Sequence, residues 1–308
     1  MRHTGPEPEP WTRPAISIGS APYPDDLLHL ILAAVGDAVA VTRTAVLSRR
    51  WRRVWSRAQR LVLVDKKVIR GTEPGRFEDF VDWVLLAQRG EADIESLGIR
   101  YMYWYKTGAS CITEERVSQW LRYAMQHVVK SLDIHLPYGS TKKDERLWIR
   151  IEGRGIKDEP PVEMPVHGRM SSIRMQLRYY RLQLPVASTA KYEALTELVL
   201  SVAFFDEADE EPGGGRTLGD FVSSCCSRLR KLGIHYPEGL RQLVLRTGSL
   251  EELELNFVCD MQTLDVTAPS LRVLKLSFFR IMWPESRRHG WRRLKRIGYS
   301  MSNLIYII

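Results

Sequence analysis

The sequence predicts an α/β protein in which a small helical unit precedes a solenoid of short parallel-stranded repeats. Three observations carry this. Apolar runs repeat late in the chain: LRKLGI at 229, LRQLVL at 240, LEELEL at 250, MQTLDV at 261 and LRVLKL at 271. Earlier, helical and extended patterns alternate, one supersecondary unit after another. The 308 residues are 44% hydrophobic and 27% charged, enough to build a long core.

The repeats decide the architecture. The starts at 229, 250 and 271 are 21 residues apart, as are those at 240 and 261. L-x-x-L-x-L at a 20–29-residue spacing is the strand signature of a leucine-rich repeat. Strand residues two apart share a face, so Leu253 and Leu255 point inward while Leu250 closes the corner. One turn cannot bury its apolar face alone, so turns must stack. The interleaved set at 240 and 261 predicts that the opposite wall is extended too.

The elements follow in chain order. Residues 1–22, rich in Pro, Glu and Ser, read as a disordered leader. Residues 24–58 hold three short helical patterns. Leu27, Leu28, Ile31, Leu32 and Val35 share a face behind Pro24 and Asp25, and Gly36 stops that helix. Asp37 caps a second pattern through Ala45. Ser48 caps a third, with Trp51, Val54, Trp55 and Ala58 on one side and Arg49, Arg53, Arg57 and Arg60 on the other. Residues 61–64 read as a strand, Phe77–Val84 as a helix and Leu97–Tyr105 as a strand. Val117–Val128 reads as a helix and Leu132–Leu136 as a strand. Loops dominate 140–190, with a strand within Met175–Leu184. LTELVL at 195–200 is a strand, 206–215 an acidic loop, and Leu218–Cys225 a helix capped by Thr217.

The outward positions of the repeat strands are Lys231, Gly233 and His235, then Glu252, Glu254 and Asn256, then Val273, Lys275 and Ser277. They stack as a mixed-charge ladder, read as a protein-recognition surface whose best candidates are Lys231, His235, Glu252, Glu254, Asn256, Lys275 and Ser277. The competing reading is a solvated wall.

The segment PYPDDLLHLILAAVGDAVAVTRTAVLSRRWRRVW resembles an F-box of plant F-box/leucine-rich-repeat proteins, including their FBD-type relatives. VSQWLRYAMQHVVKSLDIHL (117–136), TLGDFVSSCCSRLRKL and LRQLVLRTGSLEELEL resemble that family's repeats. The resemblance divides the chain into a leader (1–22), an F-box (23–62), a repeat solenoid (63–279) and a basic tail (280–308). It implies a non-catalytic substrate receptor of a Skp–cullin–F-box ubiquitin ligase. The box would dock on a Skp-family adaptor, and through it a cullin–RING ligase, while the repeats hold a protein target. Carried over by position, Pro24, Leu27, Leu28, Ile31, Leu32, Val46, Leu47, Trp51 and Trp55 would make the adaptor contact. A box of this size cannot bury so many apolar groups internally, although Trp55 can instead pack against Leu61–Val64.

Two departures stand out. Tyr23 occupies the place of the usual leucine before the box proline, and the tail FFRIMWPESRRHGWRRLKRIGYSMSNLIYII fits neither further repeats nor an FBD region. Either NLIYII closes the array as a strand, or the tail belongs to a truncated or alternative product.

The net charge of +8 is uneven. Residues 43–60 carry seven arginines and no acid, and residues 280–308 carry seven basic residues against Glu285. A nucleic-acid-binding reading of the basic third helix is the weakest alternative, because Trp51 and Trp55 claim its other face and base-reading amides are scarce. A repeat-based interaction module without ligase function is the nearer alternative. No P-loop, G-x-S-x-G or H-E-x-x-H motif points to an enzyme. Cys111, Cys225, Cys226 and Cys259 form no metal-ligand or disulfide pattern, and Cys226 is expected to be half exposed. No cofactor, metal or membrane span is expected. The nucleus or cytoplasm is the expected location, with RRHGWRRLKR (287–296) a candidate import signal.

Overall fold

The computed structural model describes residues 58–65, 76–87, 93–101, 112–137, 160–178, 180–205, 217–258, 261–277 and 305–307. The protein is α/β, with a mostly parallel sheet and few helices among these residues. Residues 23–57 of the expected box (23–62), and the tail outside 305–307, lie outside the described residues, as do Cys111 and Cys259; Arg60, expected on the third helix, instead begins the strand Arg60–Asp65.

The main sheet has nine parallel strands in the order β1, β2, β3, β5, β7, β8, β10, β12, β13. They are β1 (Arg60–Asp65), β2 (Ile94–Tyr101), β3 (Val128–His135), β5 (Ser172–Gln176) and β7 (Glu197–Ser201), then β8 (Lys231–His235), β10 (Glu252–Asn256), β12 (Val273–Ser277) and β13 (Ile305–Ile307). Alternation explains their register. Leu61, Leu97, Leu132, Ile173, Leu198, Leu232, Leu253 and Leu274 stand in one line across the strands. Each of these side chains is buried. Sliding one strand by a single residue would turn all its apolar groups outward, so the register is strongly held.

Helix α1 (Arg76–Ala87) follows β1, and helix α2 (Glu114–His127) follows β2. Thr113 caps α2, its hydroxyl accepting from the Arg116 N–H at 3.3 Å. Asp82 of α1 ties the two helices, accepting from Trp120 Nε1 at 2.6 Å and from Arg116 Nε at 2.8 Å. The spacing predicts a helix to Val128 and a strand from Leu132. Instead the chain passes from α2 into β3 at Val128, which is already extended (φ −94°, ψ 132°) while its N–H still bonds the Ala124 carbonyl. Hydrophobic continuity through Val128 hides that junction in the sequence.

The strand expected within Met175–Leu184 is two: β5, which starts earlier at Ser172 and ends at Gln176, and the short β6 (Leu182–Gln183) at its far end. A separate short pair, β4 (Val162–Glu163) with β6, forms nearby. In the later part the opposite wall is extended: β9 (Gln242–Arg246) pairs in parallel with β11 (Thr263–Thr267). Leu243, Leu245, Leu264 and Val266 turn inward from it. Helix α3 (Leu218–Cys225), capped by Thr217, packs on β9, and Ser223 Oγ accepts from the Arg246 N–H at 2.9 Å. Gly219 makes this approach possible, because a Cβ there would lie 2.3 Å from the Val244 carbonyl oxygen.

Cys226 is fully buried, not half exposed, because the turn after α3, closed by the Leu229 N–H on the Cys226 carbonyl at 3.0 Å, returns the chain into the core. Burial pushes its thiol well above the ordinary range. At the far edge, β13 lies parallel to β12, with Val273 opposite Ile305 and Lys275 opposite Ile307.

Candidate target-binding face

Burying one side of a parallel sheet leaves the alternate residues of every strand on the other. Here three polar lines cross the array. In the first, Glu197, Lys231 and Glu252 stand side by side. In the second, Asp133, Arg174, Val199, Gly233, Glu254 and Lys275 do. In the third, Arg100, His135, Gln176, Ser201, His235, Asn256 and Ser277 do.

Charges on and beside these lines pair sideways between strands. Glu95 meets Lys130 at 2.5 Å and Arg60 at 3.2 Å. Arg100 Nε donates to Asp133 at 2.9 Å, and His135 Nε2 lies 2.9 Å from the other Asp133 oxygen. Arg174 reaches Glu197 at 2.9 Å. Lys275 reaches Glu252 at 2.8 Å and Glu254 at 3.9 Å, while Lys231 reaches Glu252 at 3.6 Å. The result is a charge-balanced lattice, without a run of like charge among the described residues.

The sequence-predicted residues divide into two linked groups on this lattice. Lys231, Glu252, Lys275 and Glu254 form the ionic group. The Lys275 ammonium holds the Glu252 carboxyl below its ordinary range, against the opposing effect of burial, and Lys231 adds to this. Lys275 is pushed up in return, by Glu252 first. The second group is a chain of neutral contacts. Asn256 Nδ2 donates to Glu254 Oε1 at 2.8 Å and stands 2.8 Å from His235 Nδ1. With one amide hydrogen on each, Nδ1 accepts and the imidazole proton sits on Nε2. Burial pushes the His235 imidazole down, only partly offset by Glu254, so it is neutral at pH 7. Ser277 stands beside Asn256 at the end of this line.

Gly233, expected to face solvent, is buried instead. The imidazole lies over it: a Cβ on Gly233 would sit 3.1 Å from His235 Nε2 and 3.4 Å from the Val199 methyls. The glycine therefore makes room for the half-buried histidine.

Sequence reasoning missed an aromatic step at the strand ends. Tyr236 and Phe257 follow β8 and β10 directly, and their rings stack 4.2 Å apart at 11°. Tyr236 is 47% exposed. Both take left-handed backbone angles, φ 50° and 55°, as does Val202 (54°) at the matching place after β7. Bulky residues pay on the order of 1–2 kcal/mol there. Each is held by its own N–H, which bonds the neighbouring strand: Val202 to His235 O at 2.8 Å, Tyr236 to Asn256 O at 2.9 Å and Phe257 to Ser277 O at 2.7 Å. Extending the leucine repeat by one aromatic position would have found the pair, since 236 and 257 share the same spacing. The nine adaptor-contact candidates from Pro24 to Trp55 lie outside the described residues.

Chemically, this face offers neutralised charges, amide and imidazole hydrogen-bonding groups and an apolar anchor at its rim. That is a surface suited to another protein. No group of three His, Cys, Asp or Glu side chains suited to a metal occurs among the described residues. No described helix is long and apolar enough to cross a membrane.

F-box/LRR-repeat protein 25 of Arabidopsis thaliana is 31% identical over 115 residues, 36% of this chain and 37% of that protein. An Arabidopsis F-box/FBD/LRR-repeat protein is 27% identical over 256 residues, 82% of the chain and 47% of its own length. The chain is a homologue of plant F-box/LRR-repeat proteins. A further Arabidopsis F-box/LRR-repeat protein is 24% identical over 262 residues, 82% of the chain and 50% of that protein. The chain spans about half the length, or less, of these curated relatives. No family model matches the chain, and no solved structure does.

Proposed function

We propose that the chain is a non-catalytic substrate-recognition subunit of a Skp–cullin–F-box ubiquitin ligase. In this reading the segment 23–62, whose last three residues begin β1, holds a three-helix F-box that docks on a Skp-family adaptor through Pro24, Leu27, Leu28, Ile31 and Leu32, with Val46, Leu47, Trp51 and Trp55 adding to the contact. The sheet is the inner wall of a leucine-rich-repeat solenoid with a 21-residue period in its C-terminal part. Its polar face, from β8 to β12 with the Tyr236–Phe257 step, takes a protein target. The chain does no chemistry itself. It raises the target's effective concentration beside a ubiquitin-loaded enzyme, in the nucleus or cytoplasm.

One observation carries the reading: the box-like segment PDDLLHLIL…RTAVLSRRWRRVW precedes a parallel sheet with one face closed by leucines and the other left polar. Likeness to relatives whose names join F-box and LRR repeat supports it. The test is capture of ubiquitinated proteins by the full chain, compared with Tyr236→Ala/Lys275→Glu. The proposal expects a distinct set of proteins lost with that variant while adaptor remains bound. Equal capture by both chains would remove the face from the account.

A further inference from the structure

We infer that the rim of the polar face selects an uncharged, extended segment of the target through one aromatic side chain, which stacks on Tyr236. This rests on the polar face being the target-binding face, and not on the ligase role. Strand parity gives the first reason. Counting by twos along β3, Leu132, Ile134 and Leu136 all point inward, as do Ile173, Met175 and Leu177 along β5, and all six are buried. The same count on the later strands runs Leu232, Ile234, Tyr236 and Leu253, Leu255, Phe257. Yet Tyr236 is 47% exposed and Phe257 only half-buried.

The left-handed backbone at these two positions makes the difference. It adds a corner, and the next residue, Pro237 or Val258, enters the core in their place. Leu136 and Leu177 have no such angle. Glycine or asparagine would turn this corner with little strain. An aromatic ring held there and laid on the surface serves neither the turn nor the core, which is how strain at a binding position looks. The two rings are also nearly parallel, 4.2 Å apart at 11°, so the step is flat. A planar ring is the side chain that covers such a step best.

The row behind the step is neutral. Gln176, Ser201, His235, Asn256 and Ser277 stand side by side across five strands. With neighbouring strands about 4.8 Å apart, the row is about 19 Å long, the reach of about six extended residues. The charges nearer the strand starts are matched within the protein: Glu197 by Arg174, and Glu252 by Lys275 and Lys231. A charged target side chain on this row would give up water without meeting an opposite charge. An uncharged segment finds amide, hydroxyl and imidazole groups to hydrogen-bond.

The test pans a phage-displayed library of random nonapeptides on the purified full chain at neutral pH. Enriched peptides are then measured by fluorescence anisotropy against the parent, Tyr236→Asn, Lys275→Glu and Val244→Ser. Val244 is an exposed apolar residue on the opposite wall and controls for general loss of apolar surface. Enriched peptides should carry Phe, Tyr or Trp among uncharged residues. They should bind Tyr236→Asn at least about tenfold more weakly than the parent, and Val244→Ser equally well. Asparagine suits the left-handed angle, so Tyr236→Asn should unfold in urea no earlier than the parent. Earlier unfolding would mark the ring as structural and overturn the inference. So would no enrichment, or enrichment of charged peptides. Peptides lost with Lys275→Glu but kept by Tyr236→Asn would overturn it and leave the face as the binding surface. Peptides bound equally by all four chains would overturn the face reading as well.

Discussion

Gly219→Ala sets two opposing effects against each other, and the structure decides the sign. Alanine in a helix is favoured over glycine by about 1 kcal/mol at most. Against this, the new Cβ would meet the Val244 backbone oxygen at 2.3 Å, its nitrogen at 3.1 Å and its carbonyl carbon at 3.2 Å. Ordinary contact distances of roughly 3.5 Å require α3 and β9 to part by about 1 Å. Backbone atoms cannot swing aside as a long side chain can. Overpacking of this kind costs about 1–3 kcal/mol. The Ser223–Arg246 bond that joins the same two elements at 2.9 Å also stretches, worth about another 1 kcal/mol. The net expectation is a loss of about 1–3 kcal/mol. Gly248→Ala is the control, since nothing lies within 4 Å of its Cβ. It should be neutral, or stabilise by about 0.5 kcal/mol through the unfolded chain. Urea unfolding of the full chain, followed by circular dichroism, reads both. A Gly219→Ala protein as stable as the parent would refute the packing argument.

Other expectations follow from the polar contacts. Asp82→Asn leaves Arg116 without one of its carboxylates and weakens the Trp120 bond, so stability should fall by about 1–2 kcal/mol in the same urea assay. The Glu252 carboxyl is depressed in the folded state, mainly by Lys275. Its contribution is therefore present above the unfolded value near 4.5 and is lost as pH falls through the lower folded value. Glu252→Gln should flatten the acid limb of stability measured between pH 5 and about pH 3. His235 behaves in the opposite chemical sense but with the same slope. Its folded value lies below 6.5, so the unfolded chain takes up protons first and stability falls as pH drops from 6.5 to that value. Imidazole NMR should give a His235 midpoint below 6.5, and Glu254→Gln should lower it further by removing the charge that opposes burial.

Much of the array was legible because its core obeys a rule the sequence displays. Leu232, Leu253 and Leu274 pair in register because strands bury alternate residues, and the L-x-L spacing states which ones. The Thr217 cap and helix α3 followed from the same local logic. What the sequence hid was non-local. The burial of Cys226 depends on how the turn after α3 returns the chain into the core. That of Gly233 depends on His235 of its own strand and Val199 of the next. The Tyr236–Phe257 stack requires two strands to be adjacent before either ring has a partner. The ladder residues Lys231 to Ser277 were legible as a set, but their division into an ionic cluster and an amide–imidazole chain was not, because side-chain reach across strands is not encoded in spacing.

The central claim, that a box-bearing chain presents this face to a target while docked on an adaptor, is tested most directly by calorimetric binding of the purified full chain to a Skp-family adaptor. Wild type should bind, Leu28→Asp/Ile31→Asp should lose at least about a hundredfold in affinity, equivalent to about 2.7 kcal/mol, and Tyr236→Ala/Lys275→Glu should bind as wild type does. A wild-type chain that folds but shows no binding to the adaptor would contradict the account and leave a repeat-based interaction protein in its place.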